Sequence, residues 1–272
     1  MKLYLDPGHG GTDPGASGNG LLEKDINLDI ALRIQSILLA NYDDIQIRMS
    51  RTSDQTKSLQ QRTNEANQWG ADYYVSIHCN AFNGQARGYE DFIHDRLSDN
   101  SQTANYRNTL HQEITKVNKL SNRGKKKANF HVLRETTMSA FLSENGFIDN
   151  SQDAQLMSSS TWRQTVAHGH ANGIAKAFDL QPKSNGGNPT PDPEPGTVYR
   201  IIAGSFKSKN NADKRVDLLR NAGIESFVDR HLISGEVWYR VQAGAFRSRN
   251  NANQRLDEVK DAGINDAFIT VN

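Results

Sequence analysis

The segment KLYLDPGHGG, residues 2–11, opens the chain with a short apolar strand that ends in a glycine-rich turn. Leu3–Leu5 have the composition of a buried strand, and Asp6-Pro7-Gly8 follow as a turn. This turn projects His9 beyond the end of the strand. In parallel α/β sheets, ligands bind outside the carboxyl ends of the strands, so His9 is a candidate site residue.

Strands and helices alternate over the first 180 residues. The predicted elements are strands at Lys2–Leu5, Ile45–Arg48, Tyr73–His78 and Phe141–Glu144, and helices at Ile26–Leu39 and Ser160–Phe178. The first helix carries isoleucine at positions 26, 30, 34 and 37, which is helical spacing. This alternation predicts an α/β fold in which helices flank a largely parallel sheet.

The stretch QPKSNGGNPTPDPEPGT, residues 181–197, divides the chain. It is rich in proline and glycine and contains no large apolar residue, so it predicts a semi-extended linker. The predicted organisation is a large domain at 1–180, the linker at 181–197 and a small domain at 198–272.

The small domain contains an internal repeat. YRIIAGSF at 199–206 recurs as YRVQAGAF at 239–246, and an Asn-Asn-Ala helix start follows each copy. Each unit reads as strand, helix and strand, so the pattern predicts a compact α+β domain with βαβ repeated twice and both helices on one face.

Composition excludes several classes of protein. The chain has 272 residues and a formal net charge of +1, which gives no global reason to expect a nucleic-acid partner. No apolar run approaches the roughly 20 residues that span a bilayer, so no membrane partner is predicted. A single cysteine, Cys79, excludes a cysteine-rich zinc motif. Any metal site must use histidine and carboxylate ligands.

Four polar residues lie at or just after predicted strand ends or at a helix start. Two imidazoles and a carboxylate, from His9, His78 and Glu23, form a usual zinc ligand set that leaves a position for water. Glu144 follows an apolar strand. From these residues alone simpler interpretations stay open: a surface group for His9, a hydrogen-bonded strand-end residue for His78, a complement to the helix dipole for Glu23, and a turn residue for Glu144. Strand alternation points Cys79 away from His78, as a buried thiol.

Six ordered motifs carry a resemblance to a known family. They are DPGHGGTDPGA (6–16), LLEKD (21–25), SRTSD (50–54), RTNEAN (62–67), VSIHCNAF (75–82) and FLSENGFIDN (141–150). Together they resemble the zinc-dependent N-acetylmuramoyl-L-alanine amidases, especially sporulation and lysis amidases. The chain departs from the family pattern at Cys79, where a small or apolar residue is usual.

The resemblance implies a function and a site. It implies hydrolysis of the amide between N-acetylmuramic acid and L-alanine in peptidoglycan. It places one zinc ion on His9, Glu23 and His78, and it makes Glu144 the catalytic residue. Asn80, Arg51 and Arg62 lie inside the family-like motifs and are candidates for orienting the ligands or binding substrate. His131 lies outside these motifs and is a candidate for lining the cleft and binding substrate. Buried structural pairing is the alternative for the first three.

The C-terminal repeats resemble SPOR-type domains, which implies binding of peptidoglycan glycan strands by residues 198–272. The fold also resembles RNA-recognition motifs. However, this domain contains twelve Lys/Arg and nine Asp/Glu residues, so its net charge is modest, and it has no RNP-type aromatic signature. Nucleic acid is therefore not an expected partner.

The remaining expectations concern context. No secretory signal opens the sequence, so we expect synthesis in the cytoplasm and action at the cell wall after lysis or another non-classical release. A monomer is expected. Two alternative functions stay open: a zinc hydrolase of different wall specificity, and a glycan-binding protein without catalysis.

Overall fold

The structure, a computed structural model, describes residues 1–183, 198–233, 235–246 and 249–271. The chain forms two compact units, Met1–Lys183 and Ser184–Asn272. Residues 184–197 of the predicted linker 181–197 lie outside the described residues.

The first unit contains eight strands and six helices among its described residues. In chain order they are β1 (Lys2–Pro7), β2 (Ser17–Gly18), β3 (Leu21–Leu22), α1 (Glu23–Asn41), β4 (Gln46–Met49), α2 (Leu59–Trp69), β5 (Tyr73–Asn80), β6 (Tyr89–His94), α3 (Gln102–Thr115), β7 (Asn122–Ala128), α4 (His131–Arg134), β8 (Ser139–Phe147), α5 (Ser151–Ser158) and α6 (Ser160–Ala177).

The main sheet has six strands in the order β4-β1-β5-β8-β6-β7. Strands β4, β1, β5 and β8 are parallel to one another, which confirms the predicted largely parallel sheet. Strand β6 pairs antiparallel with β8, and β7 pairs parallel with β6. Strands β6 and β7 were not predicted, because their sequences YEDFIH and NRGKKKA lack an apolar run.

Helices cover both faces of this sheet. On one face, Leu5, Val75 and Phe141 pack into a large core with α1, α3, α5 and α6. On the other face, Tyr74 and Leu142 pack into a smaller core with α2 and α4. Alternate residues of each strand serve the two faces. His78 lies four residues after Tyr74, and Glu144 lies two residues after Leu142. Both therefore point to this second face.

Helix α2 begins with a capping box. Ser58 Oγ accepts a hydrogen bond from Gln61 N at 3.2 Å, and Gln61 Oε1 accepts one from Ser58 N at 2.8 Å. This start places Arg62 in the first turn, where it is buried against the sheet.

Among its described residues, the second unit forms a four-stranded antiparallel sheet with two helices. Its elements are β9 (Tyr199–Phe206), α7 (Lys209–Asn221), β10 (Phe227–Ile233), β11 (Glu236–Phe246), α8 (Arg249–Asp261) and β12 (Phe268–Val271). The strand order is β10-β11-β9-β12, so βαβ occurs twice, as predicted. Ala212 of α7 and Ala252 of α8 share one core with Ile201 and Val241 of the sheet. In the described parts of both units, every helix is too short or too polar to cross a membrane.

Candidate metal centre and catalytic carboxylate

The three predicted metal ligands meet at the carboxyl ends of β1 and β5. His9 Nε2 lies 3.2 Å from Glu23 Oε2, and His78 Nδ1 lies 2.9 Å from Glu23 Oε1. One ligand atom from each residue lies within 4.8 Å of the others. Glu23 is the first residue of α1, so the start of that helix faces the end of the sheet.

The loop that carries His9 has an unusual backbone conformation. His9 has a φ of 61°, in the left-handed region that residues other than glycine rarely adopt. Arg62 Nη2 donates to His9 O at 2.7 Å, and Arg51 Nη2 donates to Gly8 O at 2.8 Å. These bonds hold the loop carbonyls in place and stabilise the strained conformation.

Arg51 and Arg62 are candidates for orienting ligands or substrate, with buried structural pairing as the alternative. The structure places both inside the protein, with 2% and 3% of their surface exposed. Their guanidinium groups donate to buried carbonyls, which agrees with the alternative of buried structural pairing; substrate contact by either arginine stays a prediction. Arg62 Nη1 also lies 2.6 Å from Asp6 Oδ1. Burial of Asp6 opposes its charge, but Arg62 outweighs burial and holds the pKa of this carboxyl below its usual value.

The Glu23 carboxylate accepts several hydrogen bonds from the protein. Ala16 N donates to Oε2 at 2.8 Å and Cys79 N donates to Oε1 at 3.0 Å. Burial disfavours the charged form, but hydrogen bonds with His78 and His9 outweigh burial. The pKa of Glu23 therefore lies well below its ordinary value, and the group is a carboxylate at neutral pH.

Asp13 orients the His9 ring. His9 Nδ1 lies 2.8 Å from Asp13 Oδ2, which turns Nε2 towards Glu23. Carboxylates that bind the second nitrogen of a ligand histidine fix its orientation and raise its basicity. Sequence reasoning did not single out Asp13, although it lies four residues after His9 inside the motif DPGHGGTDPGA.

Gly8 packs directly against the His78 ring. A Cβ added at Gly8 would lie 2.2 Å from His78 Cε1 and 2.3 Å from Nε2, closer than any real contact. Only glycine leaves room for the imidazole here.

Glu144 lies beside the three residues. It is the register partner of His78 across β5 and β8, and on its other side it pairs with Glu90 of β6. Glu144 is partly buried, and its Oε2 has no hydrogen-bond partner among the described residues. Burial raises the pKa of Glu144 well above its ordinary value, and the charges of Glu23 and Glu90 add to the increase. The carboxyl therefore takes up a proton readily.

Cys79 has the structural role that the sequence predicted. It lies next to His78 but faces the large core, with 3% of its surface exposed. Burial raises the pKa of its thiol well above the usual value, so it stays protonated and is a poor metal ligand.

Asn80 and His131 are the other two candidates for substrate contact. Asn80 ends β5 and donates from Nδ2 to Glu90 Oε1 at 2.9 Å. His131 begins α4, and its Nε2 is shielded from solvent without a partner among the described residues. Substrate contact by either residue stays a prediction. Glu90 was not singled out by sequence reasoning, since it lies in a strand that the apolar pattern did not reveal.

The three residues fit a zinc ion. Two imidazole nitrogens and one ionised carboxylate are a usual catalytic zinc set. In the part of the chain that the structure describes, His9, Glu23 and His78 are the one group of three or more histidine, cysteine and acidic residues with converging ligand atoms.

Comparison with known proteins agrees with this geometry. The N-acetylmuramoyl-L-alanine amidase family matches residues 3–176, and the SPOR domain matches residues 195–270. The chain is 46% identical over 228 residues to the N-acetylmuramoyl-L-alanine amidase CwlM of Bacillus licheniformis, covering 84% of each protein. It is 44% identical over 228 residues to the sporulation-specific N-acetylmuramoyl-L-alanine amidase of Bacillus subtilis, again covering 84% of each.

Solved structures show the same fold for the first unit. The N-acetylmuramoyl-L-alanine amidase from Clostridium difficile 630 superposes with a TM-score of 0.63 at 34% identity, covering 65% of this chain and 96% of that one. The catalytic domain of CwlV from Bacillus (Paenibacillus) polymyxa gives 0.62 at 32% identity, covering 66% and 99%. This chain therefore belongs to the N-acetylmuramoyl-L-alanine amidase family and carries a SPOR domain at its C-terminal end.

Proposed function

We propose that this protein hydrolyses the amide between the lactyl group of N-acetylmuramic acid and L-alanine in peptidoglycan. One zinc ion would be held by His9, Glu23 and His78. The observation that carries the proposal is the pairing of Glu144 with His78, which brings a proton-accepting carboxyl beside the ligand cluster.

The ligand residues prepare the site in two ways. Glu23 is ionised, and Asp13 aims the free nitrogen of His9 at the position that Glu23 and His78 share. A zinc ion bound there would supply a Lewis acid that polarises the substrate carbonyl and makes water more acidic.

Glu144 moves the proton. It takes a proton from water as the water oxygen bonds to the carbonyl carbon. It then gives the proton to the alanine nitrogen as the C–N bond breaks. An amine leaves poorly as an anion, so this second transfer is required. The raised pKa of Glu144 suits a group that must hold the proton between the two transfers.

The second unit would bind glycan strands and keep the catalytic unit at the wall. The SPOR match and the two βαβ repeats support this part of the proposal. We propose further that the protein acts as a monomer at the cell wall, which light scattering after size exclusion tests directly.

Mass spectrometry of digested peptidoglycan tests the reaction. The expected product is a stem peptide with a new alanine amino terminus, and a chelator should stop its release. Free acetate or an internal peptide cleavage would instead support a zinc hydrolase of different wall specificity. Binding to peptidoglycan without any cleavage, in protein loaded with zinc, would support the non-catalytic alternative.

His9→Ala and His78→Ala test the metal site. Each change removes one of three ligands, so zinc and activity should both be lost. His231→Ala, in the second unit, is the matched control and should retain both. Full zinc content with full activity in both ligand variants would overturn the proposed site.

A further inference from the structure

Two cations on β7 contact one buried carboxylate on the neighbouring strand β6. Arg123 Nε lies 2.7 Å and Lys126 Nζ lies 2.5 Å from Glu90 Oε2. Glu90 itself is 4% exposed. Because two positive charges share one negative charge, the cluster keeps a net charge of about +1.

Aromatic rings hold both cations in place. The Arg123 guanidinium carbon lies 4.8 Å from the centre of the Phe147 ring, and Lys126 Nζ lies 5.9 Å from the centre of the Phe92 ring. The cation side chains are 35% and 38% exposed, so both reach solvent. Arg123 Nη1 donates to Arg87 O at 3.3 Å, and in the described part of the chain Nη2 donates no hydrogen bond to a protein acceptor.

The cluster lies on the same face of the sheet as the catalytic residues. His78, Glu144 and Glu90 are side by side on β5, β8 and β6. Neighbouring strands are about 4.8 Å apart, so the cluster lies about 10 Å from the metal ligand His78.

The segment 54–56 lies on the opposite side of the His9 loop, next to its glycines. Asp54 accepts a hydrogen bond from Gly11 N at 2.7 Å, and Thr56 Oγ1 accepts one from Thr12 N at 3.0 Å. These bonds pack the segment 54–56 against the His9 loop. A substrate chain that runs from the site along the sheet, away from this segment, passes over β8 and β6 towards the two cations.

We propose that Arg123 and Lys126 form a subsite for a carboxylate of the stem peptide, on the leaving-group side of the scissile amide. This inference rests on the proposed function. An extended peptide spans about 3.3 to 3.6 Å per residue, so about 10 Å reaches the first few residues after the cleaved bond.

The chemistry favours a carboxylate over a neutral amide. A guanidinium with free donors pairs with carboxylates in a fixed geometry, and the ammonium of Lys126 adds a second charge-assisted contact. A carboxamide at the same position is neutral and has one acceptor oxygen, so it forms no ion pair with either cation. The subsite should therefore distinguish stem peptides with free carboxylates from stem peptides in which these groups are amidated.

The test compares two soluble muropeptides that differ only in this way, one with free stem-peptide carboxylates and one with amides. The variants are Arg123→Gln and Lys126→Met, and the measured quantity is the ratio of kcat/KM for acid over amide substrate. Using the ratio cancels any effect on Glu144. We expect each variant to lower the ratio on the order of tenfold, the loss of one charge-assisted bond. Lys125→Met is the matched control, because its Nζ bonds Asn108 on α3, on the other face of the sheet.

An unchanged ratio in both variants, or an equal fall in Lys125→Met, would overturn the subsite. Calorimetry with the free stem peptide, in acid and amide forms, gives a second readout that needs no turnover. If the wild-type protein prefers the acid peptide but cleaves neither muropeptide, the subsite stands and the proposed reaction fails. If it cleaves both and binds both peptides equally, the reaction stands and the subsite fails.

Discussion

His78 of β5 and Glu144 of β8 are direct neighbours across two parallel strands, although they lie far apart in the sequence. Register partners point to the same face of a sheet, so the proposed metal ligand and the proposed proton carrier face the same space. The division of labour between them gives the first prediction.

Glu144→Gln should abolish cleavage and leave zinc bound. The amide has nearly the same shape but accepts no proton, so we expect a loss of at least about a hundredfold in kcat. Release of alanine amino termini and zinc content are measured on the same sample. Glu135→Gln, an exposed glutamate on α4's C-terminal side, should change neither. Loss of zinc in parallel with activity would show that Glu144 is a ligand and not a proton carrier.

Gly8→Ala should weaken metal binding. The added Cβ would overlap the His78 ring, so the imidazole must move. Displacing the support of a ligand typically lowers metal affinity by about ten- to a hundredfold, measured here by competition with a chelator. Gly70→Ala is the control for a loss of general stability, because its φ of 64° strains an alanine but a Cβ there meets nothing within 4 Å. Equal zinc affinity in the wild-type protein and Gly8→Ala would show that the contact is unimportant.

His170 should make the first unit less stable in acid. Burial lowers the pKa of His170 to about 4, from about 6.5 for an exposed imidazole. As the pH falls from about 6.5 to about 4, the unfolded chain takes up a proton that the folded chain does not. The contribution of His170 to the free energy of unfolding is complete above about pH 6.5. It falls by about 3 kcal/mol as the pH decreases to about 4.

The measurement is urea unfolding between pH 4 and pH 8, with His170→Gln for comparison. Both proteins carry Trp238→Phe, so that tryptophan fluorescence reports on the first unit. The free energy of unfolding of the histidine protein should fall relative to the glutamine variant as the pH decreases. Parallel curves would contradict the prediction.

Cutting the chain after Lys183 should separate targeting from catalysis. The first unit has its own core, so it should fold, bind zinc and cleave soluble muropeptide at an unchanged rate. On intact sacculi the truncated protein should be slower, because tethering raises the effective substrate concentration. Equal losses on both substrates would mean that residues 184–272 stabilise the catalytic unit and do not target it.

The sequence predicted the elements that have a strong apolar pattern. Strands β1, β4, β5 and β8 and helices α1 and α6 were found, because their buried residues recur with a clear period. Strand β6 was missed, since Glu90 and Asp91 interrupt its apolar residues and pair with groups elsewhere in the fold. The apolar pattern of the sequence does not show which distant residues pair with Glu90 and Asp91.

The candidate site was also only partly predictable from the sequence. The residues alone left His9, Glu23 and His78 open, and the resemblance to a family selected them. Register explains why: only the finished sheet brings Glu144 beside His78 and Glu90 beside Glu144. The roles of Arg51 and Arg62 depend on burial, which a charged residue in a polar motif does not reveal.

The carbonyls of Gly8 and His9 are held by arginines from outside their own loop, which limits how far the loop can be transplanted. A short peptide with the sequence DPGHGG would not reproduce the backbone of the site. A transplanted copy of the motif would need partners equivalent to Arg51 and Arg62 to keep these two carbonyls in place.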